Sequence, residues 1–171
     1  MAVTDDIVRT WRGPRAVMRD LLAHGRREDR AFAYLMAACF LIFIAQWPRL
    51  SRRAQGFELP EGAEQPVLEQ LVAYEMLSWL IVWPLLFYGL AALSHLAARA
   101  IGGQGTWYTA RLALFWSLLA SVPVLLLHGL TAAFMGPGTE LSIVGGIWVL
   151  AFGTIWIQSL REAEGPAGQG V

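Results

Sequence analysis

The sequence holds 171 residues, 56% hydrophobic and 15% charged, with thirteen basic and thirteen acidic side chains and no net charge. A soluble domain carries roughly 45–50% apolar and about 25% charged residues, so the balance argues against an ordinary water-soluble globule. Zero net charge, with no basic face interleaved with aromatics beyond the N-terminal stretch, argues against a nucleic-acid partner.

The N-terminal residues 1–30 read as a cytoplasmic arm with its own helical punctuation. Thr4 is placed to cap a helix whose first turn holds Asp5 and Asp6, Gly13 with Pro14 breaks it and starts another, and Gly25 ends that one. Ile7, Val8, Trp11, Val17, Met18, Leu21 and Leu22 recur at helical spacing beside Arg9, Arg12, Arg15 and Arg19. That is the pattern of amphipathic helices lying on a membrane surface, with Trp11, Arg15 and Arg19 as interfacial anchors near anionic headgroups. A solvated arm folded over neighbouring loops is the competing reading. No A-x-A site follows the first apolar run, so that run is expected to stay attached as an anchor.

Four apolar segments follow: 31–47, 71–98, 109–135 and 141–160. At about 1.5 Å per residue they extend roughly 25, 42, 40 and 30 Å, against a hydrocarbon core of about 30 Å. None shows the polar stripe of a soluble amphipathic helix. The expected fold is therefore an all-α polytopic membrane protein, a four-helix transmembrane bundle with an N-terminal amphipathic interfacial arm. Cys39 lies inside the first run and reads as a small buried hydrophobe; one cysteine supports neither an internal disulfide framework nor a Cys-rich metal site. Trp47 fits an interfacial anchor where Pro48 is expected to stop the first helix. Pro84 and Pro123 remove backbone donors within the second and third runs and predict kinks there.

With alternating crossings, ten arginines fall on the side of the termini and three, Arg49, Arg52 and Arg53, on the other. The positive-inside rule then places both termini in the cytoplasm, the alternative being an inverted topology or a first segment that only dips into the membrane. The three sit in a loop that also carries Glu58, Glu61, Glu64 and Glu69. The GGQGT stretch, Gly102 to Thr106, lacks the lysine and the strand of a phosphate loop and reads as the turn between the second and third spans. Residues 161–171, rich in glycine, are expected to form a flexible tail.

Polar chemistry within the spans is sparse. Glu75 and His128 lie about four and seven residues from the same end of their spans, and an ionisable residue in lipid marks a candidate site. They form a candidate hydrogen-bonded, proton-linked pair; the alternative has Glu75 reaching to the interface and His128 donating to a neighbouring backbone. His95 lies near the opposite end of its span and cannot join them. Two groups are too few for a metal site, no cofactor is implied, and no hydrolase or phosphoryl-transfer motif occurs. Small residues at four-residue steps, Ala113, Ser117, Ser121, Gly129 and Ala133 on the third span and Ser142 and Gly146 on the fourth, predict helix-packing faces, used either within the bundle or toward a partner. The Trp79 and Trp83 pair, with Trp148 and Trp156, faces either lipid or a contact surface.

The run REDRAFAYLMAACFLIFIAQWPRL, Arg27 to Leu50, preceded by the arm WRGPRAVMRDLL, resembles the small bacterial membrane proteins that carry a Yip1 domain, those of alphaproteobacteria in particular. The resemblance covers most of the chain in layout. It implies an integral membrane protein without an assigned catalytic residue, and no functional residue carries over from it. The abundance of packing features and the scarcity of polar chemistry point to a non-enzymatic protein acting by association, as a scaffold, assembly factor or organiser, with the lipid bilayer and copies of itself or other membrane proteins as partners. The alternative is a small transporter or channel whose polar path uses Glu75 and His128.

Overall fold

A computed structural model describes residues 3–57 and 67–168. Glu58, Glu61 and Glu64 of the acidic loop, and the end of the tail from residue 169, lie outside the described residues. Among the described residues every regular element is helical: α1 (Val3–Arg12), α2 (Pro14–Ala23), α3 (Glu28–Ala54), α4 (Leu68–Leu77), a π turn (Ser78–Val82), α5 (Trp83–Ala100), α6 (Trp107–Met135), α7 (Thr139–Ala163) and a short 3-10 turn (Pro166–Gly168). Four helical runs are long and apolar enough to cross a membrane: Glu28–Ala54, Leu68–Ala100, Trp107–Met135 and Thr139–Ala163. The all-α bundle expected from the apolar runs is the fold observed.

Helix α6 is the central post. Tyr108 to Ala110 and Leu112 to Val122 are buried without interruption, so this half of α6 is covered on every face rather than along one stripe. Of its most apolar 18-residue window 67% is buried, against 39% for α3, 11% for α4–α5 and 6% for α7. Helices α3, α5 and α7 pack directly on α6, while α1 reaches α6 and α2 lies against α7. Among them α3 crosses α6 most tightly: a Cβ on Gly129 would run into the Ala45 carbonyl, so only glycine permits that approach.

The arm folds onto the protein instead of lying apart on a surface. Val17, Met18, Leu21 and Leu22 join Leu35, Leu112 and Phe115 in one buried cluster. The α2 part of its apolar stripe thus faces helices, whereas Val8 and Trp11 of α1 remain exposed. Gly13 precedes Pro14 at the start of α2, and Gly25, at φ 76°, ends it with its amide donating to the Leu22 carbonyl at 2.9 Å. Arg9 ties the two short helices together, 2.9 Å from Asp6 and 2.8 Å from Asp20. Arg19 reaches Glu162 near the end of α7 at 2.8 Å, which sets the arm and the C-terminal helix end at one end of the bundle.

The prolines act differently from one another. Pro48 does not end α3, which continues to Ala54. The turn beyond it is held: Leu50 is buried, and Arg52 Nη1 donates to the Ala133 carbonyl at 3.0 Å, at the last turn of α6. Pro84 is accommodated by the π turn, where the Trp83 amide bonds to the Ser78 carbonyl, so one widened turn takes up the missing donor. Pro123 sits within an unbroken α6. Residues 161–163, expected in a flexible tail, continue α7, and Glu164 is buried.

Candidate functional site

The pair expected from sequence is not joined. Glu75 is half-buried on α4, and no hydrogen bond or ion pair connects it to His128. Helix α4 packs against α3, whereas the second span meets α6 further along, through α5. His128 turns toward α7, where a Cβ added to Gly145 would lie 3.4 Å from its Nε2.

The buried polar centre lies at the other end, on His95 and Glu164. His95 Nδ1 is 2.7 Å from Glu164 Oε1, with His95 1% and Glu164 7% exposed. The carboxylate also receives the Gly105 amide on Oε2 at 3.2 Å, and the Glu164 carbonyl receives the Gln104 amide at 2.8 Å. Glycine is required around it: a Cβ on Gly103 would stand 2.8 Å, and one on Gly105 2.9 Å, from Oε2. Trp107 covers the imidazole with ring centroids 4.6 Å apart. A single acidic side chain therefore fastens the end of α5, the GGQGT turn and the end of α7. The turn itself passes into α6 through a reciprocal Thr106–Thr109 cap, with Thr106 N to Thr109 Oγ1 at 2.9 Å and Thr109 N to Thr106 Oγ1 at 3.3 Å.

A second polar seam runs between the arm, α6 and α7, just before Pro123. Trp116 Nε1 donates to Thr10 Oγ1 at 3.0 Å, and that hydroxyl donates to the Asp6 carbonyl at 2.7 Å. Trp11 Nε1 donates to the Ala120 carbonyl at 3.1 Å, and Trp148 Nε1 donates to Ser121 Oγ at 3.2 Å. Three indoles thus spend their single donor on contacts between helices, where an unpaired donor is costly.

The expected packing residues divide. Ala113, Ser117 and Ser121 are fully buried, Ser117 and Ser121 returning their hydroxyls to the Ala113 and Leu118 carbonyls, and Gly129 forms the α3 crossing. Ala133 supplies its carbonyl to Arg52. Ser142 and Gly146 are exposed, and around a Cβ on Gly146 nothing lies within 4 Å. Among the expected anchors, Trp11 is 44% exposed yet bonded to α6, Arg19 is paired with Glu162, Arg15 is exposed, and Trp47 is exposed with its ring edge-on to Phe43. The tryptophans build two ladders, Trp79–Trp83–Phe87 and Trp148–Phe152–Trp156; Trp79, Phe87 and the whole second ladder pack against the core.

Glu164 and Thr10 were the polar residues missed from sequence. Glu164 follows Leu160 by one helical turn and so continues the inward face of α7, a signal masked by the glycines after it. Among the described residues no group of three His, Cys, Asp or Glu side chains converges to hold a metal ion. No family model matches the chain, and neither the curated proteins nor the solved structures gave a match. The resemblance to Yip1-domain proteins therefore stands on the residues quoted for it alone.

Proposed function

We propose that this protein acts by association within the membrane, as a non-enzymatic scaffold, assembly factor or organiser of other membrane components. The observation that carries the reading is the contrast between α6, enclosed by its neighbours, and the outer spans α4–α5 and α7, which bury 11% and 6% of their apolar windows. On α7, Gly146 and Gly153 have open space where a side chain would be. Glycine within a helix costs roughly 0.5–1 kcal/mol relative to alanine, and inside a bilayer it is repaid by close helix approach. Neither glycine is repaid within this chain, so the approach belongs to a second chain, a copy of this one or another membrane protein.

The arginine distribution supports both termini in the cytoplasm, and the Yip1-like residues support a bacterial inner membrane. Mild detergent extraction followed by mass determination tests the association: a species heavier than one 18.9 kDa chain is expected. A strictly monomeric protein that brings no other chain with it contradicts the proposal.

A further inference from the structure

Two charged levels bracket the apolar part of the bundle. At one, Arg111 Nη2 meets Glu28 Oε1 at 2.7 Å; at the other, Arg52 Nη1 donates to the Ala133 carbonyl at 3.0 Å. Between them, residues 112–134 of α6 and 31–48 of α3 hold no Arg, Lys, Asp or Glu. At about 1.5 Å per residue, Arg111 to Ala133 covers about 33 Å of helix, close to the hydrocarbon thickness of about 30 Å. A charged side chain is costly inside that layer, so the two levels mark its edges.

The arm reaches into this layer. Trp11 Nε1 donates to the Ala120 carbonyl at 3.1 Å, and Ala120 lies about 20 Å of helix short of Ala133. The indole therefore stands about 10 Å inside the layer from the side of the arm. Trp11 is nevertheless 44% exposed, and Val8, one turn earlier on α1, is 60% exposed. Helix α6 is enclosed only as far as Val122; Pro123 is exposed, and Leu127 and Leu130 are 53% and 51% exposed. Trp11 thus stands at the margin where α6 emerges from its neighbours, and the uncovered apolar face of α1 continues the uncovered face of α6.

Arg12 and Arg15 flank the Gly13–Pro14 break beside this face. Both are exposed, and among the described residues no carboxylate pairs with either, whereas Arg9 is bonded to Asp6 and Asp20 and Arg19 to Glu162. Asp5, exposed on α1, offsets one of the two charges and leaves the face net positive. Arginine lays its stem along apolar surface while its head reaches outward, and anionic headgroups supply the counter-charge at that level.

We infer that the outer face of α1, Val8 with Trp11, lies in the lipid leaflet on the side of the termini, and that Arg12 and Arg15 bind the phosphates of anionic phospholipids there. Depth selects lipid over water for the apolar pair, and the unpaired guanidinium groups select anionic over zwitterionic headgroups. The arm is thereby shared, α2 packing on the bundle and α1 on the bilayer.

The test uses the full chain in lipid nanodiscs. A nitroxide on Val8→Cys in a Cys39→Ser background is expected to collide more with dissolved oxygen than with a water-soluble nickel chelate, and one on His24→Cys, exposed at the end of α2, is expected to do the reverse. Hydrogen exchange over residues 3–12 is expected to be slower in discs holding phosphatidylglycerol than in phosphatidylcholine alone, by about fivefold for each arginine held near anionic headgroups. The double variant Arg12→Gln with Arg15→Gln, both at exposed positions, is expected to lose that difference. A label at Val8 as open to the nickel chelate as one at His24 overturns the lipid contact and assigns the face to a protein partner. Exchange that is equal in the two kinds of disc, or a difference that survives the double variant, overturns the binding of headgroups by Arg12 and Arg15.

Discussion

Glu164→Ala is the most incisive perturbation of the packed end of the bundle. It leaves the His95 imidazole, 1% exposed, and the Gly105 amide without the carboxylate that each now meets, at 2.7 and 3.2 Å. The buried imidazole left unsatisfied costs about 1–3 kcal/mol, and the Gly105 amide, only part-buried, adds less, so the loss is at least about 1–3 kcal/mol. Against a typical total of about 5–15 kcal/mol that is a large share of the stability. Unfolding in mixed micelles, followed by tryptophan fluorescence as denaturing detergent is added, measures it. The double variant His95→Leu with Glu164→Leu removes both partners together and is expected to recover much of the loss, since paired buried polar groups are often replaced by apolar ones at little cost. A loss below about 1 kcal/mol for Glu164→Ala refutes the idea that this carboxylate fastens α5, the glycine turn and α7.

Gly129→Leu is expected to force α3 away from α6 at Ala45 and to lower the unfolding midpoint by at least the roughly 1–3 kcal/mol of an overpacked site. Gly146→Leu, where nothing lies within 4 Å, is expected to leave that midpoint within about 0.5 kcal/mol while reducing the mass of the extracted complex. Thr10→Val removes the acceptor of the Trp116 indole and is expected to loosen the arm by about 1–3 kcal/mol. Faster hydrogen exchange over residues 3–23, with α6 unchanged beyond Pro123, is the corresponding readout.

The four long helices were legible because length and hydropathy alone separate a membrane-crossing run from a soluble one, whereas the small residues Ala113, Ser117 and Ser121 signalled packing without showing that this half of α6 is covered on every face. The arm was legible as two helices with an apolar stripe, since Gly13, Pro14 and Gly25 punctuate it locally. What that stripe touches was not, because Val17, Met18, Leu21 and Leu22 suit lipid and protein equally well. Pro48 was misread as a stop because the usual cost of an interior proline was considered without the tertiary hold that Leu50 and Arg52 place on the turn after it. Glu75 and His128 show the limit most clearly. Counting residues fixes depth to within a turn, but the direction of a side chain depends on helix rotation, which nothing along a uniformly apolar helix specifies. The His95–Glu164 contact joins residues 69 apart in sequence, beyond the reach of any local pattern.

Single cysteines placed in a Cys39→Ser background, at Gly25 in the turn after the arm, at Gly138 between α6 and α7, and at Gly165 after α7, report directly on whether four helices cross the bilayer. Labelling intact cells or sealed vesicles with a membrane-impermeant thiol reagent is expected to modify position 138 from one face and positions 25 and 165 from the other. Modification of 138 from the same face as the other two, or of 25 and 165 from opposite faces, contradicts the four-span bundle.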